Sequence, residues 1–298
     1  MKKSKNFKNI EKEFKINQNK LIKTFLNSDK KSKNVITNWK HHSGGGGVSC
    51  EIYGGNIFER AMINFSSIEG SVLPNSALSK RIKGNISEFL ATGISVVIHP
   101  VNPFVPCSHL NVRFFNTNSK LKKNWWFGGG YDLTPYFINE SDINLWHKNT
   151  KKMCDKHDKK YYKDFKSKCD NYFSIKHRNE KRGVGGIFFD NLNLNEISHY
   201  LSFINDVVET YLSSYMDIVQ KRSKKKFNES HKNFQLYRRG RYVEFNLVYD
   251  RGTLFGLQSG GRADSILMSL PPMVSWSSLK SKTLLKYEKD LLKYLKIK

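Results

Sequence analysis

The sequence has few of the residues that build disulfide frameworks or membrane spans. Its 298 residues include only four cysteines, which are scattered and form no Cys-x-x-Cys pair. We therefore expect neither a disulfide framework nor a cysteine-ligated zinc site. No segment approaches the roughly 18 consecutive apolar residues of a transmembrane helix, so we expect no membrane span.

The N-terminus lacks the features of two targeting classes. It is rich in lysine but has no apolar segment of the kind found in a secretory signal. Its glutamates Glu11 and Glu13, together with its lack of arginine, are atypical of a mitochondrial transit peptide. We therefore predict a cytoplasmic protein.

Acidic residues are also few: 26 of them oppose 51 lysines and arginines, which gives a net charge of +25. Such a charge is typical of proteins that bind nucleic acid or anionic surfaces. Here the lysines are spread over the whole chain with many asparagines, and no RNA-binding motif is present. We expect a solvated basic surface and no nucleic-acid partner. A nucleic-acid-binding protein is the leading alternative, and steep loss of binding with salt would support it.

Arginine is much rarer than lysine, yet five arginines fall within residues 238–262. They are Arg238, Arg239, Arg241, Arg251 and Arg262. The guanidinium group binds a carboxylate or phosphate at two points, which lysine cannot do. This window therefore predicts an anion site, although an ordinary cluster of ion pairs explains the same pattern.

Short apolar runs separated by turn residues predict a strand-rich chain. The predicted strands are 48–53, 60–68, 93–99, 110–116, 124–128, 185–190, 234–239, 242–250 and 264–270. Apolar residues at helical spacing predict helices over 76–92, 142–173, 195–222 and 281–297, with Ser141 as the N-cap of the second. Residues 1–40 predict a lysine-rich amphipathic helix with a polar tail.

Strands and helices do not alternate regularly, which disfavours a doubly wound parallel sheet. We predict one α+β domain with a large, mainly antiparallel sheet and helices packed on it. Within it, residues 1–42 form a lysine-rich helix and tail that pack on a catalytic domain of residues 43–298.

Three groups of residues are candidates for chemistry. His99 and His109 lie at the two ends of one proline-bounded loop, where they can converge and titrate near neutrality, although capping roles explain them as well. Gly128, Gly129 and Gly130 precede Asp132, and this run permits a close backbone approach or is simply a bend with a capping aspartate. It matches neither a phosphate-binding loop nor a dinucleotide fingerprint.

The third group consists of His147 and His177, which could join His99 and His109 as metal ligands. Their spacing matches no compact metal motif, and a histidine on a helix surface is the commoner case. A histidine-metal oxygenase is therefore a further alternative, which predicts activity that a chelator abolishes.

The most unusual segment is EFNLVYDRGTLFGLQSGGRADSILMSLPP, residues 244–272. We predict that an apolar strand ends at Asp250 and Arg251. A glycine pair, Gly260 and Gly261, then precedes Arg262.

Several long blocks resemble the oxygen-dependent coproporphyrinogen III oxidase family, in order and at similar spacing. They include HPVNPFVPCSHLNVRFF, WWFGGGYDLTPYF, KHRNEKRGVGGIFFDNLN and the segment just quoted, and the resemblance runs from about residue 43 to about 276. It implies an antiparallel sheet flanked by helices on both faces and a homodimer, with a dimerisation segment near Tyr242–Ser278. A porphyrin-binding protein that has lost catalysis is the alternative within this resemblance.

The implied reaction is oxidative decarboxylation of the ring A and B propionates of coproporphyrinogen III to vinyl groups. Molecular oxygen is the oxidant, protoporphyrinogen IX is the product of this step of heme biosynthesis, and CO2 and H2O2 leave. The resemblance implies no flavin, heme, nicotinamide or other organic cofactor.

The resemblance also implies residue roles. His109 corresponds to a proton donor, while Asp250 would accept pyrrole N–H bonds and help to deprotonate a pyrrole, with Asp132 as the reserve carboxylate. Arg251 belongs to the same catalytic set and, with Arg262, would clamp propionates at the rim of the macrocycle. The implied substrate contacts are Ser95, Asn111, Val112, Arg113, Gly260, Gly261 and Arg262. The implied ligands of a divalent metal such as manganese are His99, His109, His147 and His177.

Overall fold

A seven-stranded antiparallel sheet forms the centre of the computed structural model, which describes residues 2–71, 88–118, 124–258 and 262–297. Six strands follow one another in the sheet, and the last strand, β9, pairs with β6 at the edge. The seven strands are β1 Lys33–Lys40, β2 Gly45–Tyr53, β3 Phe58–Gly70, β4 Phe89–Pro100, β5 Cys107–Thr117, β6 Trp125–Thr134 and β9 Gly185–Leu192. A separate two-stranded ribbon is formed by β7 Ser174–Ile175 and β8 Glu180–Lys181.

The two faces of the sheet differ because successive side chains of a strand point to opposite sides. Along β5, Leu110 and Val112 are fully buried in the main hydrophobic core. The alternate residues His109, Asn111 and Arg113 line a cleft on the other face. One face is therefore apolar, and the opposite face carries polar and charged side chains.

Helices cover both faces, in agreement with the predicted α+β class. Four helices, α1 to α4, pack on the apolar face, and α1 inserts Phe7, Phe14 and Phe25 into its core. On the polar face, Tyr242 of α5 packs against Val97, and α6 and α7 follow α5 above the cleft. The helices are α1 Lys5–Ser28, α2 Glu140–His157, α3 Tyr161–Tyr172, α4 Ile197–Arg222, α5 Glu229–Val248, α6 Arg251–Gln258, α7 Ala263–Leu267 and α8 Lys282–Leu295.

Most of the strand predictions before residue 200 are confirmed. The six predicted segments 48–53, 60–68, 93–99, 110–116, 124–128 and 185–190 lie in strands except for residue 124, and several of the strands are longer than predicted. The polar tail predicted before residue 40 is in fact the edge strand β1, which pairs with β2 and leaves most of its side chains exposed. The division of the chain at residue 42 stays a prediction.

The helix predictions are confirmed at 195–222 and 281–297, which contain α4 and α8. The predicted helix 142–173 is two helices, α2 and α3, and the N-cap of α2 is Asn139, which accepts a hydrogen bond from the Asp142 amide, rather than Ser141. Most of the predicted helix 76–92 lies outside the described residues, and its end at 89–92 belongs to β4.

Three strand predictions are wrong. Residues 234–239 and most of 242–250 belong to the long helix α5, and 264–270 includes most of the short helix α7. Helix α5 misleads because it is buried on several sides at once, so its apolar residues do not follow one helical stripe. Asp250 therefore follows a helix rather than a strand.

Within the described ranges, no helix is long and apolar enough to cross a membrane. All four cysteines are free and buried.

Candidate active site

A cleft of about 320 Å³ lies between the polar face of the sheet and helices α5 to α7. Its floor comes from neighbouring strands, because Asn64, Ser95, Asn111 and Gly130 are paired in one row across β3, β4, β5 and β6. The predicted site residues that line it are Ser95, His109, Asn111, Arg113, Asp250, Arg251 and Arg262. The fold thus collects into one cleft residues that are up to 167 positions apart in the sequence.

A chain of three charged or titratable side chains lies at and below the wall of this cleft, where His109 and Arg182 line it and Asp132 lies between them. His109 and Asp132 are register partners on β5 and β6, and the His109 Nδ1 lies 3.1 Å from the Asp132 Oδ1. Arg182 donates to both carboxylate oxygens of Asp132, at 2.6 Å from Nη2 and 3.3 Å from Nε. The side chains of Asp132 and Arg182 are almost completely buried, whereas that of His109 is 20% exposed.

Electrostatics keep Asp132 ionised at this depth. Burial alone would raise its pKa, but the Arg182 guanidinium and the hydrogen bond from His109 outweigh burial and hold the pKa of Asp132 below its usual value. An ionised Asp132 accepts from the His109 Nδ1–H, so the imidazole tautomer is set and Nε2 remains for a ligand in the cleft.

Arg182 is held on every side. Its Nη1 donates to Asn246 of α5 at 2.8 Å. Its guanidinium carbon lies 4.1 Å from the ring centroid of Phe173 and 4.7 Å from those of Tyr242 and Phe245. These contacts provide the hydrogen bonds and cation–π interactions that a buried cation needs.

Asp250 also lines the cleft, but its carboxylate is engaged in the turn between α5 and α6. Its Oδ2 accepts from the Thr253 amide at 2.8 Å and from the Thr253 hydroxyl at 2.9 Å. Its Oδ1 accepts from the Tyr172 hydroxyl at 2.8 Å. Asp250 therefore caps the start of α6, as aspartate often does, in addition to facing the cleft.

Three partly exposed arginines surround the opening of the cleft. The side chains of Arg113, Arg251 and Arg262 are 28%, 45% and 42% exposed, and Arg113 and Arg251 both approach Asp190 of β9. The aromatic wall beside them includes Tyr172 and Phe188, whose rings stack with centroids 4.5 Å apart. The cleft thus combines cations at its rim with an apolar surface.

The other three arginines of the predicted anion site belong to the fold. Arg238 pairs with Glu180 at 3.1 Å, Arg239 with Glu59 at 2.8 Å, and Arg241 with both Glu180 and Glu244. All three are buried. The interpretation as structural ion pairs is correct for these residues, while Arg251 and Arg262 line the cleft.

The glycine run of β6 serves close packing between strands. A Cβ atom on Gly129 would lie 2.4 Å from the Asn111 carbonyl oxygen, and one on Gly130 would lie 2.1 Å from that of Ile187. These backbone atoms cannot move away without disrupting the sheet. The prediction of a close backbone approach is therefore confirmed, and the partner is the neighbouring strand.

The structure does not bring the four predicted metal ligands together within one chain. His99 is fully buried and bonds to the Ser269 carbonyl oxygen, His147 lies on α2 at the apolar face, and His177 bonds to Glu244 and Tyr249. Among the residues that the structure describes, no group of three or more histidine, cysteine, aspartate or glutamate side chains could hold a metal. These residues do not fit a shared metal site, and the metal hypothesis stays a prediction.

Val112 and the glycine pair were also predicted to contact the substrate. The Val112 side chain points into the core on the apolar face, so any contact with a ligand would have to come from its backbone. Gly260 and Gly261 lie outside the described residues.

Arg182, Asp190 and Asn246 were not among the predicted site residues. Arg182 is one of the rare arginines and lies in a segment quoted for the family resemblance, so the rule that scarce arginines are specific would have found it. Asp190 follows the apolar run of β9 and had no distinguishing pattern. Asn246 was hidden because its segment was predicted to be a strand.

Comparison with known proteins gives one consistent result. The model of the coproporphyrinogen III oxidase family matches residues 9–298. The chain is 52% identical over 253 residues to the oxygen-dependent coproporphyrinogen-III oxidase of Francisella tularensis subsp. holarctica strain OSU18, which covers 85% of this chain and 82% of that protein. It is 54% identical over 233 residues to the enzyme of the same name from Francisella philomiragia, covering 78% and 76%.

Proposed function

This chain belongs to the coproporphyrinogen III oxidase family, and we propose that its polar cleft is where it binds and converts coproporphyrinogen III. The protein is an oxidoreductase of heme biosynthesis that uses molecular oxygen. For each propionate, –CH2CH2COO⁻, O2 and one proton give –CH=CH2, CO2 and H2O2. The ring A and B propionates react in this way, and the product is protoporphyrinogen IX.

One observation supports the location best: the hydrogen-bonded pair of His109 and Asp132 adjoins a cleft that three arginines also line. These arginines are Arg113, Arg251 and Arg262. The substrate carries four carboxylates around an apolar macrocycle with inward pyrrole N–H groups. Guanidinium groups bind carboxylates at two points, and the Tyr172–Phe188 stack offers a flat aromatic surface to the ring. The overall charge of +25 favours the approach of such an anion.

The hydrogen-bonded chain of His109, Asp132 and Arg182 is suited to proton transfer. Asp132 orients the imidazole by accepting a hydrogen bond from its Nδ1, and Arg182 keeps Asp132 ionised. In our proposal, His109 exchanges a proton with the substrate or with reduced oxygen through its Nε2. Asp132 acts mainly through His109, since its side chain is 1% exposed.

Asp250 lines the cleft, whereas Asp132 does not, and in our proposal Asp250 keeps its predicted role beside the substrate. It is partly exposed at the cleft wall, where a carboxylate could accept pyrrole N–H bonds. Its carboxylate already accepts three hydrogen bonds within the protein. It therefore has less acceptor capacity left for the substrate than a free aspartate has. In the same proposal, the substrate is also contacted by five other residues that line the cleft: Ser95, Asn111, Arg113, Arg251 and Arg262.

The experiment that tests this function is turnover of freshly reduced coproporphyrinogen III by the purified chain in air, without oxygen, and in air with EDTA. Vinyl products are quantified by chromatography. Product that requires oxygen and survives EDTA supports an oxidase without a metal. Loss of product with EDTA and its restoration by one cation supports the metal hypothesis, while absence of product in air from folded protein contradicts the proposed function.

We also propose that the protein is a homodimer that works in the cytoplasm. Several large apolar side chains are exposed in the segment that the family resemblance links to dimerisation, which is a common property of interfaces. They are Leu247, Val248, Leu257, Met273 and Trp276. Light scattering should give about twice the chain mass of 34.7 kDa, and a monomer at micromolar concentration would contradict the dimer.

A further inference from the structure

We propose that Asp190 is a positioning residue that holds Arg113 and Arg251 together as one clamp for a substrate carboxylate. The Arg113 Nη2 lies 3.4 Å from the Asp190 Oδ1, and the Arg251 Nη2 lies 3.6 Å from the Asp190 Oδ2. Each arginine therefore approaches a different oxygen of the same carboxylate. The inference rests on the function proposed above and adds to it a residue that lines the cleft and acts through the two arginines.

The carboxylate of Asp190 is fixed by the backbone that follows it. The Asn191 amide donates to the Asp190 Oδ1 at 3.1 Å, and Asn191 has the left-handed conformation, with φ of 61°. The register between β6 and β9 shifts at this point, between Phe127 and Gly129. Such irregularities turn a side chain toward a chosen direction, and here they turn Asp190 toward the two arginines.

The opposite strand leaves room for this arrangement. A Cβ atom on Gly128 would lie 2.8 Å from the Asp190 Oδ1 and 3.0 Å from the Arg113 Nε. Unlike Gly129 and Gly130, Gly128 would meet side-chain atoms rather than backbone. The absence of a side chain at residue 128 therefore gives space to the Asp190–Arg113 pair.

Each arginine is also supported from a second side. The Arg113 Nη1 donates to the Asn111 side chain at 3.2 Å. The guanidinium of Arg251 lies 5.1 Å from the ring centroid of Tyr172 and 5.3 Å from that of Phe188. Both guanidinium groups keep further N–H donors for a ligand, because arginine has five.

The lengths of the two ion pairs and the exposure of their groups indicate that these contacts orient the two arginines more than they stabilise the fold. Both ion pairs are longer than 3.3 Å and involve partly exposed groups, and pairs of this kind add little to the free energy of unfolding. Without the shared anion, however, two like charges would repel and their side chains would sample other rotamers. Two arginines and one aspartate leave a net charge of +1, which suits one carboxylate.

The test compares Asp190→Ala and Asp190→Asn with the full-length wild type. It measures kcat and KM for coproporphyrinogen III, and the Kd of oxidised coproporphyrin III, a stable tetracarboxylate, by quenching of tryptophan fluorescence. We expect Asp190→Ala to raise KM and Kd about tenfold with kcat within about twofold, because the loss is in ordering the clamp. Asp190→Asn keeps one oxygen acceptor, so about threefold is expected.

Two controls separate positioning from a general effect. Asp290→Ala removes an exposed aspartate of α8 that pairs with Lys293 and should leave Kd and KM unchanged. In an Arg251→Ala background, Asp190→Ala should raise KM and Kd about threefold rather than tenfold, since one of the two partners of Asp190 is already absent.

Unchanged Kd and KM in Asp190→Ala would overturn the inference, as would the same tenfold cost in the Arg251→Ala background. If the wild type binds coproporphyrin III in an Asp190-dependent manner but shows no turnover, the proposed function fails while the clamp stands. Absence of coproporphyrin III binding by the wild type would contradict both.

Discussion

The two faces of the central sheet are built from the same strands but differ in what holds them together. The apolar face packs against α1 to α4 with side chains such as Leu110 and Val112, which have no exposed surface. The cleft face carries His109, Asn111 and Arg113, all partly open to a cavity. Strand alternation therefore places core side chains on one face and polar side chains that line the cleft on the other.

The largest loss of stability is expected for a residue on the cleft face, which is an exception to the division between the two faces. Arg182 lies on the cleft face but is fully buried against Asp132, and Arg182→Met would leave an uncompensated buried carboxylate. We expect a loss of about 3–5 kcal/mol in the free energy of unfolding, measured with urea. Arg251→Met is the matched exposed control and should change it by less than about 0.5 kcal/mol. Equal small losses in both variants would show that the Asp132–Arg182 pair is not a structural element.

A pair of adjacent residues sharpens the comparison. Leu110→Ala removes a fully buried side chain from the core and should cost about 2–5 kcal/mol, with the Kd for coproporphyrin III unchanged in the folded protein. Asn111→Ala, on the next residue, should cost less than about 1 kcal/mol and weaken binding several-fold. The measurements are urea unfolding and fluorescence titration. A stability loss in Asn111→Ala as large as that in Leu110→Ala would refute the division between faces.

The dependence of stability on pH tests the charged part of the cleft face. The pKa of Asp132 is lowered in the folded protein, despite burial, by Arg182 and His109. The resulting stabilisation is present above the unfolded-state pKa of about 3.9 and is lost as the pH falls through the lower folded-state pKa. Between about pH 5 and pH 2, wild type should therefore lose more stability than Asp132→Asn in urea unfolding. Identical slopes would mean that Asp132 titrates normally.

The smallest expected effect concerns Gly128. Gly128→Ala places a methyl group against Asp190 and Arg113, and these side chains can shift by a few tenths of an ångström. We expect KM to rise about two- to threefold with stability within about 1 kcal/mol of wild type. An unchanged KM would show that the clamp tolerates displacement.

Sequence patterns predicted the strands of the sheet well, because apolar and polar residues alternate along a strand wherever one face of the sheet is apolar and the other is polar. They failed for α5, where Arg238, Arg239 and Arg241 are buried and form ion pairs with glutamates from distant segments. Such pairing reverses the usual link between charge and exposure, so tertiary contacts override local patterns. Edge strand β1 was missed for the opposite reason: most of it is exposed, and its composition is that of a surface segment.

The site was partly predictable for similar reasons. Motif resemblance identified His109, Asn111, Arg113 and Asp250 as site residues, and all of them line the cleft. Spacing could not reveal that Asp132 lies directly opposite His109, since this depends on the register between β5 and β6. Nor could it reveal Arg182, which reaches Asp132 from 50 residues away.

The measurement that tests the account most directly is kcat of Asp132→Asn for coproporphyrinogen III in air, with the Kd of coproporphyrin III measured on the same folded sample. His109→Gln serves as a second variant of the same pair. We expect kcat to fall at least about 100-fold in both variants, because a positioned proton-transfer group is lost, while Kd stays within about threefold. A kcat within about threefold of wild type in both variants would contradict the claim that the buried His109–Asp132 pair on the cleft face carries the chemistry.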